Sequence, residues 1–321
     1  MVDLSILDLA SVPAGRTAAE TFEGSVALAR LAERLGYRRV WYAEHHNLPS
    51  IASSATSVLI AHIAAHTSSI RLGAGGVMLP NHAPLTIAEQ FGTLATLHPG
   101  RIDLGLGRAP GSDRNTMYAL RRDPAAADRF PDDVLELQGY LTGPSRVPGV
   151  EATPGQGTNV PLYILGSSLY GARLAAALGL PYAFASHFAP DALTEAVALY
   201  RNEFTPSAQL EKPHVIAGLS VIAADREDAA RAQQRIVKRS RVRLFVARGR
   251  TLTDDEADAV LASPAGRQIE SMMRYAAVGT RDDVREYAQD FAKHADADEL
   301  IVAHQSPTVE QRLRSVDLLA D

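Results

Sequence analysis

The sequence contains no cysteine and only one tryptophan among its 321 residues. The absence of cysteine excludes disulfide bonds, a thiol nucleophile and thiolate metal ligands. No apolar run approaches the roughly 18 residues that a membrane-spanning helix requires. The first residues also lack the basic and apolar stretches of a secretion signal. From these absences we expect a soluble, cytoplasmic protein that has no membrane partner.

The charge balance gives little reason to expect a polyanionic partner. A net charge of −5 does not favour binding to nucleic acid or to an anionic membrane. The one local basic cluster, residues 238–243, is short and is more typical of a solvated helix face. Apolar residues make up 46% of the chain, which is ample for a core. Because no boundary divides the chain, we predict a single domain over residues 1–321.

Segments with strand character alternate with segments of helical periodicity. Eight such strands with helices between them predict an α/β protein, a closed (β/α)8 TIM barrel with insertions after strands 4 and 7. The larger insertion, about residues 241–279, is charged and is predicted to form a lid or an excursion from the barrel. The predicted strands are 3–9, a segment ending near 43, 70–79, 101–106, 162–165, 181–185, 215–223 and 299–303.

A carboxylate and two imidazoles follow the second predicted strand, at Glu44, His45 and His46. Adjacent strand residues face opposite sides, so only one of the two imidazoles would face a cavity at the strand end. Glu44 and His45 could form a general base and the group that orients it. A histidine satisfied within the core is an equally good interpretation of either imidazole.

Glycines and small hydroxylated residues follow other strands. Gly105 and Gly107 superficially resemble a dinucleotide fingerprint, but the third glycine is one place late, so a Rossmann site is not favoured. Arg108 would instead project toward an anion or a ring. Ser167 and Ser168 begin a helix, where free amides favour a phosphate, although either residue could simply cap the helix.

Two further patterns are relevant to ligand binding. The glycines within residues 73–76 indicate either a flat ligand against bare backbone or a packing need in a narrow barrel. His62 and His66 have metal-ligand spacing on a predicted helix, but no acidic residue accompanies them. Surface histidines near a helix end are the better interpretation, so no metal site is predicted.

Several motifs, taken together, resemble the bacterial-luciferase-like flavin monooxygenases, in particular a single-subunit-type branch of unassigned substrate. The likeness covers nearly the whole chain and keeps the order and spacing of the motifs. They are Trp41-Tyr42-Ala43-Glu44-His45-His46, Leu79-Pro80-Asn81-His82-Ala83-Pro84, residues 98–108, Gly166-Ser167-Ser168 and Val278-Gly279-Thr280.

The resemblance implies a (β/α)8 barrel that binds reduced FMN at the carboxyl ends of its strands. The peptide between Gly75 and Gly76 would be a non-prolyl cis bond that faces the isoalloxazine ring. His45 would correspond to the active-site histidine of the luciferases, oriented by Glu44. The flavin phosphate would be held by Arg108, Ser167, Ser168 and backbone amides near Gly171.

The function implied by the resemblance is oxidation of a small, aldehyde-like or other organic substrate by FMNH2 and O2 through a C4a-(hydro)peroxyflavin. A separate flavin reductase would supply FMNH2, and the family suggests a homodimer. Luciferases carry a cysteine where this chain has Gly107, so the resemblance supports oxygenation but not light emission. Three alternatives stay open: F420-dependent hydride transfer, non-catalytic flavin binding and a barrel metallohydrolase.

Overall fold

Parallel strands alternate with helices in the computed structural model, which describes residues 2–13, 15–109, 113–247 and 250–320. The strands are β1 Asp3–Asp8, β2 Arg39–Tyr42, β3 Arg71–Met78, β4 Ile102–Gly107, β5 Leu162–Gly166, β6 Tyr182–Phe184, β7 Val215–Ala223, β8 Ala276–Gly279 and β9 Glu299–His304. The helices are α1 Ala18–Arg34, α2 Thr56–Ala64, α3 Pro84–Leu97, α4 Arg114–Ala119, α5 Phe130–Thr142, α6 Leu169–Leu178, α7 Leu193–Glu203, α8 Glu227–Phe245, α9 Asp254–Leu261, α10 Pro264–Met272, α11 Arg281–His294 and α12 Val309–Leu319.

Eight of these strands close into a barrel. Each strand from β1 to β7 pairs in parallel with the next, and β9 pairs with both β7 and β1. The predicted (β/α)8 barrel is therefore confirmed. The strand β8 was not predicted; it pairs with Ser220–Ala223, beyond the part of β7 that contacts β6. Because β9 occupies the other edge of β7, β8 extends the wall above β6 at the carboxyl end of the barrel.

The insertion after β7 is a packed helical unit with its own apolar cluster. Three helices, α8, α9 and α10, precede β8 within it, and α11 follows. Its buried residues include Val242, Ala257 and Ile269, which pack with Ile222 of β7. The predicted excursion at 241–279 is thus anchored on the carboxyl end of β7, apart from residues 248 and 249, which lie outside the described chain. Its role as a lid stays a prediction.

Local sequence signals account for several helix ends. Thr17 and Glu20 form the predicted capping box at the start of α1, each side chain bonding the other's backbone amide. Gly179 ends α6 with a φ of 61°, in the left-handed region that glycine adopts without a steric penalty. No helix in the described part of the chain is both long and apolar enough to cross a bilayer.

A buried charged network fills the amino-terminal end of the barrel. The Arg39 guanidinium, at the start of β2, donates to Asp103 at 2.8 Å, to the Tyr163 hydroxyl at 2.7 Å and to Glu299 at 3.1 Å. Above it, apolar side chains such as Trp41 and Tyr163 fill the interior. Since this end is closed by paired charges, the open positions for a ligand are at the opposite, carboxyl ends of the strands.

Candidate active site

The carboxyl ends of β2 to β5 form one continuous rim. Met78 pairs with Gly107, which in turn pairs with Leu165, so the residues that follow these strands are side by side. The Met78 backbone amide also donates to the Glu44 carboxylate at 3.1 Å, which ties the end of β2 to the end of β3. Predicted site residues on all four strands are therefore brought to the same rim of the barrel.

Glu44 is a buried carboxylate held by two imidazoles. Its Oε1 lies 3.0 Å from Nε2 of His46 and 2.8 Å from Nε2 of His82, while only 2% of the side chain is exposed. Burial alone would raise the pKa of Glu44, but hydrogen bonds from His46 and His82 lower it to about 2. The same bond to Glu44 raises the pKa of His46. The carboxylate therefore stays ionised throughout the physiological pH range.

His82 reaches Glu44 because the chain turns sharply after β3. A short 3-10 helix, Leu79–Asn81, contains Pro80 and brings His82 back over the end of β2. The sequence gives no signal that residues 38 positions apart are in contact, so the contact between Glu44 and His82 was not predicted. The only available signal was that neighbouring strands both end in polar loops. The contacts of Glu44 thus include His46 and His82, and the predicted pairing of Glu44 with His45 stays a prediction.

One carboxylate oxygen and two imidazole nitrogens at this position could bind a metal ion. The ligand atoms of Glu44, His46 and His82 all lie within 4.8 Å of one another. Two histidines and one carboxylate are a common ligand set for divalent transition metals. The rings of His62 and His66, the pair with metal-ligand spacing in the sequence, are 4.6 Å apart and tilted by 58°, and His66 Nδ1 donates to the His62 carbonyl.

His45 is half-buried directly beyond β2. Its backbone amide donates to the Ser53 carbonyl at 3.2 Å, which anchors the loop that follows the strand. His46 is also half-buried, with 18% of its side chain exposed. β2 ends at Tyr42, so the alternation of a strand does not extend to His45 and His46, and which imidazole faces the cavity stays a prediction. The catalytic role of His45 stays a prediction.

The peptide bond between Gly75 and Gly76 is cis, as the resemblance predicted. It lies where the β3–β4 register shifts between Ala74 and Val77, so the glycines form a bulge in the barrel wall. A Cβ at Gly75 would lie 2.9 Å from Leu7 Cδ1, and one at Gly76 would lie 2.8 Å from the Gly105 carbonyl. Packing alone therefore requires glycine here, and contact with a flat ligand stays a prediction.

Arg108 and the start of α6 meet across the β4–β5 rim. The Arg108 guanidinium lies 4.2 Å from the ring centroid of Tyr170, in the first turn of α6. Its closest described carboxylate, on the exposed Asp128, is 3.9 Å away. Ser168 occupies the N-cap position but its side chain does not cap the helix. The helix start therefore keeps amides available for an anion, next to a cation.

The backbone around α6 is tightly packed. Gly171 is buried, and a Cβ there would lie 3.3 Å from the Tyr182 ring and 3.4 Å from Gly166. The Tyr182 hydroxyl donates to the Ser168 carbonyl at 3.0 Å, which fixes the turn between β5 and α6. Ser167 and Ser168 are exposed at the rim. This cation and these polar groups fit the phosphate of FMN, and the fixed turn preorganises them.

A family model described as luciferase-like monooxygenase matches residues 2–299. The chain belongs to the luciferase-like monooxygenase family. A luciferase-like monooxygenase of Escherichia coli (strain K12) is 48% identical and covers 100% of this chain and 96% of its own. N-acetyl-S-alkylcysteine monooxygenase of Bacillus subtilis (strain 168) is 35% identical, covering 81% of this chain and 80% of its own. The crystal structure of apo-MsnO8 is 38% identical, with a TM-score of 0.91 over 100% of this chain and 98% of that one.

More distant members of this luciferase-like fold bind different cofactors. The oxygenating constituent of 3,6-diketocamphane monooxygenase, in complex with FMN, is 18% identical with a TM-score of 0.75. An F420-dependent secondary alcohol dehydrogenase is 16% identical with a TM-score of 0.71. These two similarities show the fold alone.

Proposed function

We propose that this luciferase-like monooxygenase uses reduced FMN and O2 to oxidise a small organic substrate. The observation that carries the proposal is the contact of Arg108 with the uncapped start of α6, because a cation beside free helix amides suits the phosphate of a flavin mononucleotide. When bound, the reduced flavin supplies the electrons that activate oxygen.

The chain's own residues would bind the flavin, orient it and protect it from water. Arg108, Ser167, Ser168 and the amides near Gly171 bind the phosphate. The backbone of Gly75 and Gly76 contacts the ring, and His45 transfers a proton at the barrel mouth. Glu44 holds His46 and His82 in place at 3.0 and 2.8 Å, and so shapes the rim next to His45. The helical insertion after β7 would limit the access of water.

The proposal includes partners that supply what this chain lacks. The sequence shows no dinucleotide fingerprint, so a separate flavin reductase would deliver reduced FMN. We also propose a cytoplasmic homodimer. One relative is named for N-acetyl-S-alkylcysteine, so derivatives of this kind belong in a substrate panel beside aldehydes and sulfonates.

Anaerobic titration of the protein with reduced FMN, followed by mixing with 18O2 and the substrate panel, tests the proposal. We expect saturable FMN binding and incorporation of one 18O atom into one product class, detected by mass spectrometry. Absence of affinity for reduced FMN would refute the assignment. Reduction of substrate by F420H2 without oxygen uptake would identify the hydride-transferring alternative, and flavin binding without any product would identify a flavin carrier.

A further inference from the structure

The loop after β6 places an imidazole over the barrel interior. A Cβ at Gly218 would lie only 2.3 Å from Nδ1 of His187, so the His187 ring contacts that glycine directly. Gly218 is two residues from Ile216, which belongs to the interior cluster, and therefore faces the same side of β7. The His187 ring thus lies inside the carboxyl end of the barrel, against β7.

His187 has a buried nitrogen without a hydrogen-bond partner. Its Nδ1 contacts no donor or acceptor in the described chain. Burial, together with a smaller effect of the nearby Arg241 guanidinium, lowers the pKa of His187 to about 4. The imidazole is therefore neutral at physiological pH and has one N–H group to donate.

Arg241 differs from the other charged residues of the basic cluster 238–243, which all form ion pairs. Arg239 and Arg243, on the same helix, form ion pairs with Asp254. Arg241 instead has a buried guanidinium nitrogen without a partner, and it forms no ion pair with any described carboxylate. Desolvation lowers its pKa, but arginine does not lose its proton in proteins. A buried cation without a counter-charge is unfavourable unless an anion reaches it.

An exposed aromatic pair lies one helical turn from Arg241. The ring of Phe245, at the end of α8, is 6.0 Å from the ring of Phe188, which directly follows His187. The two side chains are 45% and 46% exposed. Residues four apart share a helix face, so Arg241 and Phe245 both face the loop after β6. Apolar surface at the entrance and a buried cation beneath it favour an amphipathic ligand.

We propose that Arg241 and His187 bind the anionic group, a carboxylate or sulfonate, of an apolar substrate whose tail contacts Phe188 and Phe245. The guanidinium donates two N–H groups to the anion, and the neutral imidazole donates a third. This inference rests on the proposed function and specifies its substrate class. The site uses the loop after β6 and the helix after β7, whereas Arg108 follows β4 and α6 follows β5.

Calorimetric titration of the full chain with hexanesulfonate, hexanoate and hexan-1-ol tests this site. We expect both anions to bind at least about tenfold more tightly than the alcohol, because the anions accept charge-assisted hydrogen bonds that the alcohol does not. Arg241→Gln abolishes this preference, and Arg241→Lys retains part of it. Arg243→Gln is the matched control, because its partner is Asp254 and its removal leaves anion binding unchanged.

Thermal unfolding gives a second readout. Hexanesulfonate should raise the Tm of the wild type and of Arg243→Gln, but not that of Arg241→Gln. Equal affinity for hexanoate and hexan-1-ol, or equal anion affinity in the Arg241 and Arg243 variants, would overturn the inference. Loss of FMN affinity in Arg241→Gln would also overturn it, because the guanidinium would then serve the flavin phosphate. Failure of the wild type to bind FMN would refute the proposed function alone, and the anion titrations would still decide this site.

Discussion

Replacing Glu44 with glutamine removes a charge on which both stability and the shape of the site depend. The pKa of Glu44 is lowered from 4.5 to about 2 in the folded protein. Each pKa unit corresponds to about 1.4 kcal/mol, so ionisation of this buried carboxylate contributes about 3 kcal/mol to the free energy of unfolding. The raised pKa of His46 reflects the same interaction and is not added.

The pH dependence follows from the direction of the change. A carboxyl group whose pKa is lowered on folding stabilises the fold above its unfolded pKa, and this stabilisation is lost as pH falls toward its folded pKa. The difference between wild type and Glu44→Gln should therefore be about 3 kcal/mol at pH 7 and about 2 kcal/mol at pH 3.5. Urea unfolding followed by circular dichroism at several pH values measures it.

Glu33→Gln is the matched control for this experiment. Glu33 also has a pKa lowered to about 2, although its carboxylate accepts backbone amides of residues 68–70 at the amino-terminal side of β3. Its replacement should lower stability less, because Glu33 is partly exposed whereas Glu44 is buried, and it should leave FMN affinity and turnover unchanged. A Glu44→Gln difference below about 0.5 kcal/mol, or one that does not shrink on acidification, would refute the reasoning.

Three further substitutions test the remaining parts of the rim. Arg108→Gln should weaken FMN binding about ten- to hundredfold in a fluorescence titration, because a charge-assisted contact is lost. Arg173→Gln changes an exposed residue of α6 and should leave FMN binding unchanged. Equal effects of the two substitutions on FMN binding would contradict the phosphate site. His45→Ala should lower turnover while FMN affinity is retained, and a loss confined to binding would contradict its proposed role. Zn2+ should bind the wild type with 1:1 stoichiometry in calorimetry. His82→Gln should weaken Zn2+ binding at least about tenfold, and His62→Gln should not. If the wild type does not bind Zn2+, Glu44, His46 and His82 form only a hydrogen-bonded cluster.

The barrel was predictable because its signals are local. The run at residues 215–223 is apolar on both faces, as expected of a strand buried between the barrel interior and helices, and its bounds match β7. The strand β8 was missed because four residues, Ala276–Gly279, are too short to show a period and follow three helices of an insertion. It is stabilised by its pairing with β7 and not by its own composition.

The site was predictable only in part. The residue types at the strand ends pointed to the rim, and the resemblance located the cis peptide between Gly75 and Gly76. The partners of Glu44 were not predictable, because they depend on a turn that returns His82 to the neighbouring strand. The sequence also could not predict that Arg241 lacks, within the described chain, the ion pairs that its basic neighbours form. A cluster of basic residues does not show which direction each side chain takes.

By itself, the sequence determined the order of strands and helices, because hydrophobic periodicity and capping residues act over a few positions. It also determined the family, because the order and spacing of the motifs can be read without knowing which residues are in contact. Tertiary structure alone decided which charges meet: Arg39 with Asp103 and Glu299 at one end of the barrel, and Glu44 with His46 and His82 at the other. Such pairings depend on closure of the barrel, which brings distant residues within hydrogen-bonding distance and removes the water that would otherwise weaken their interaction.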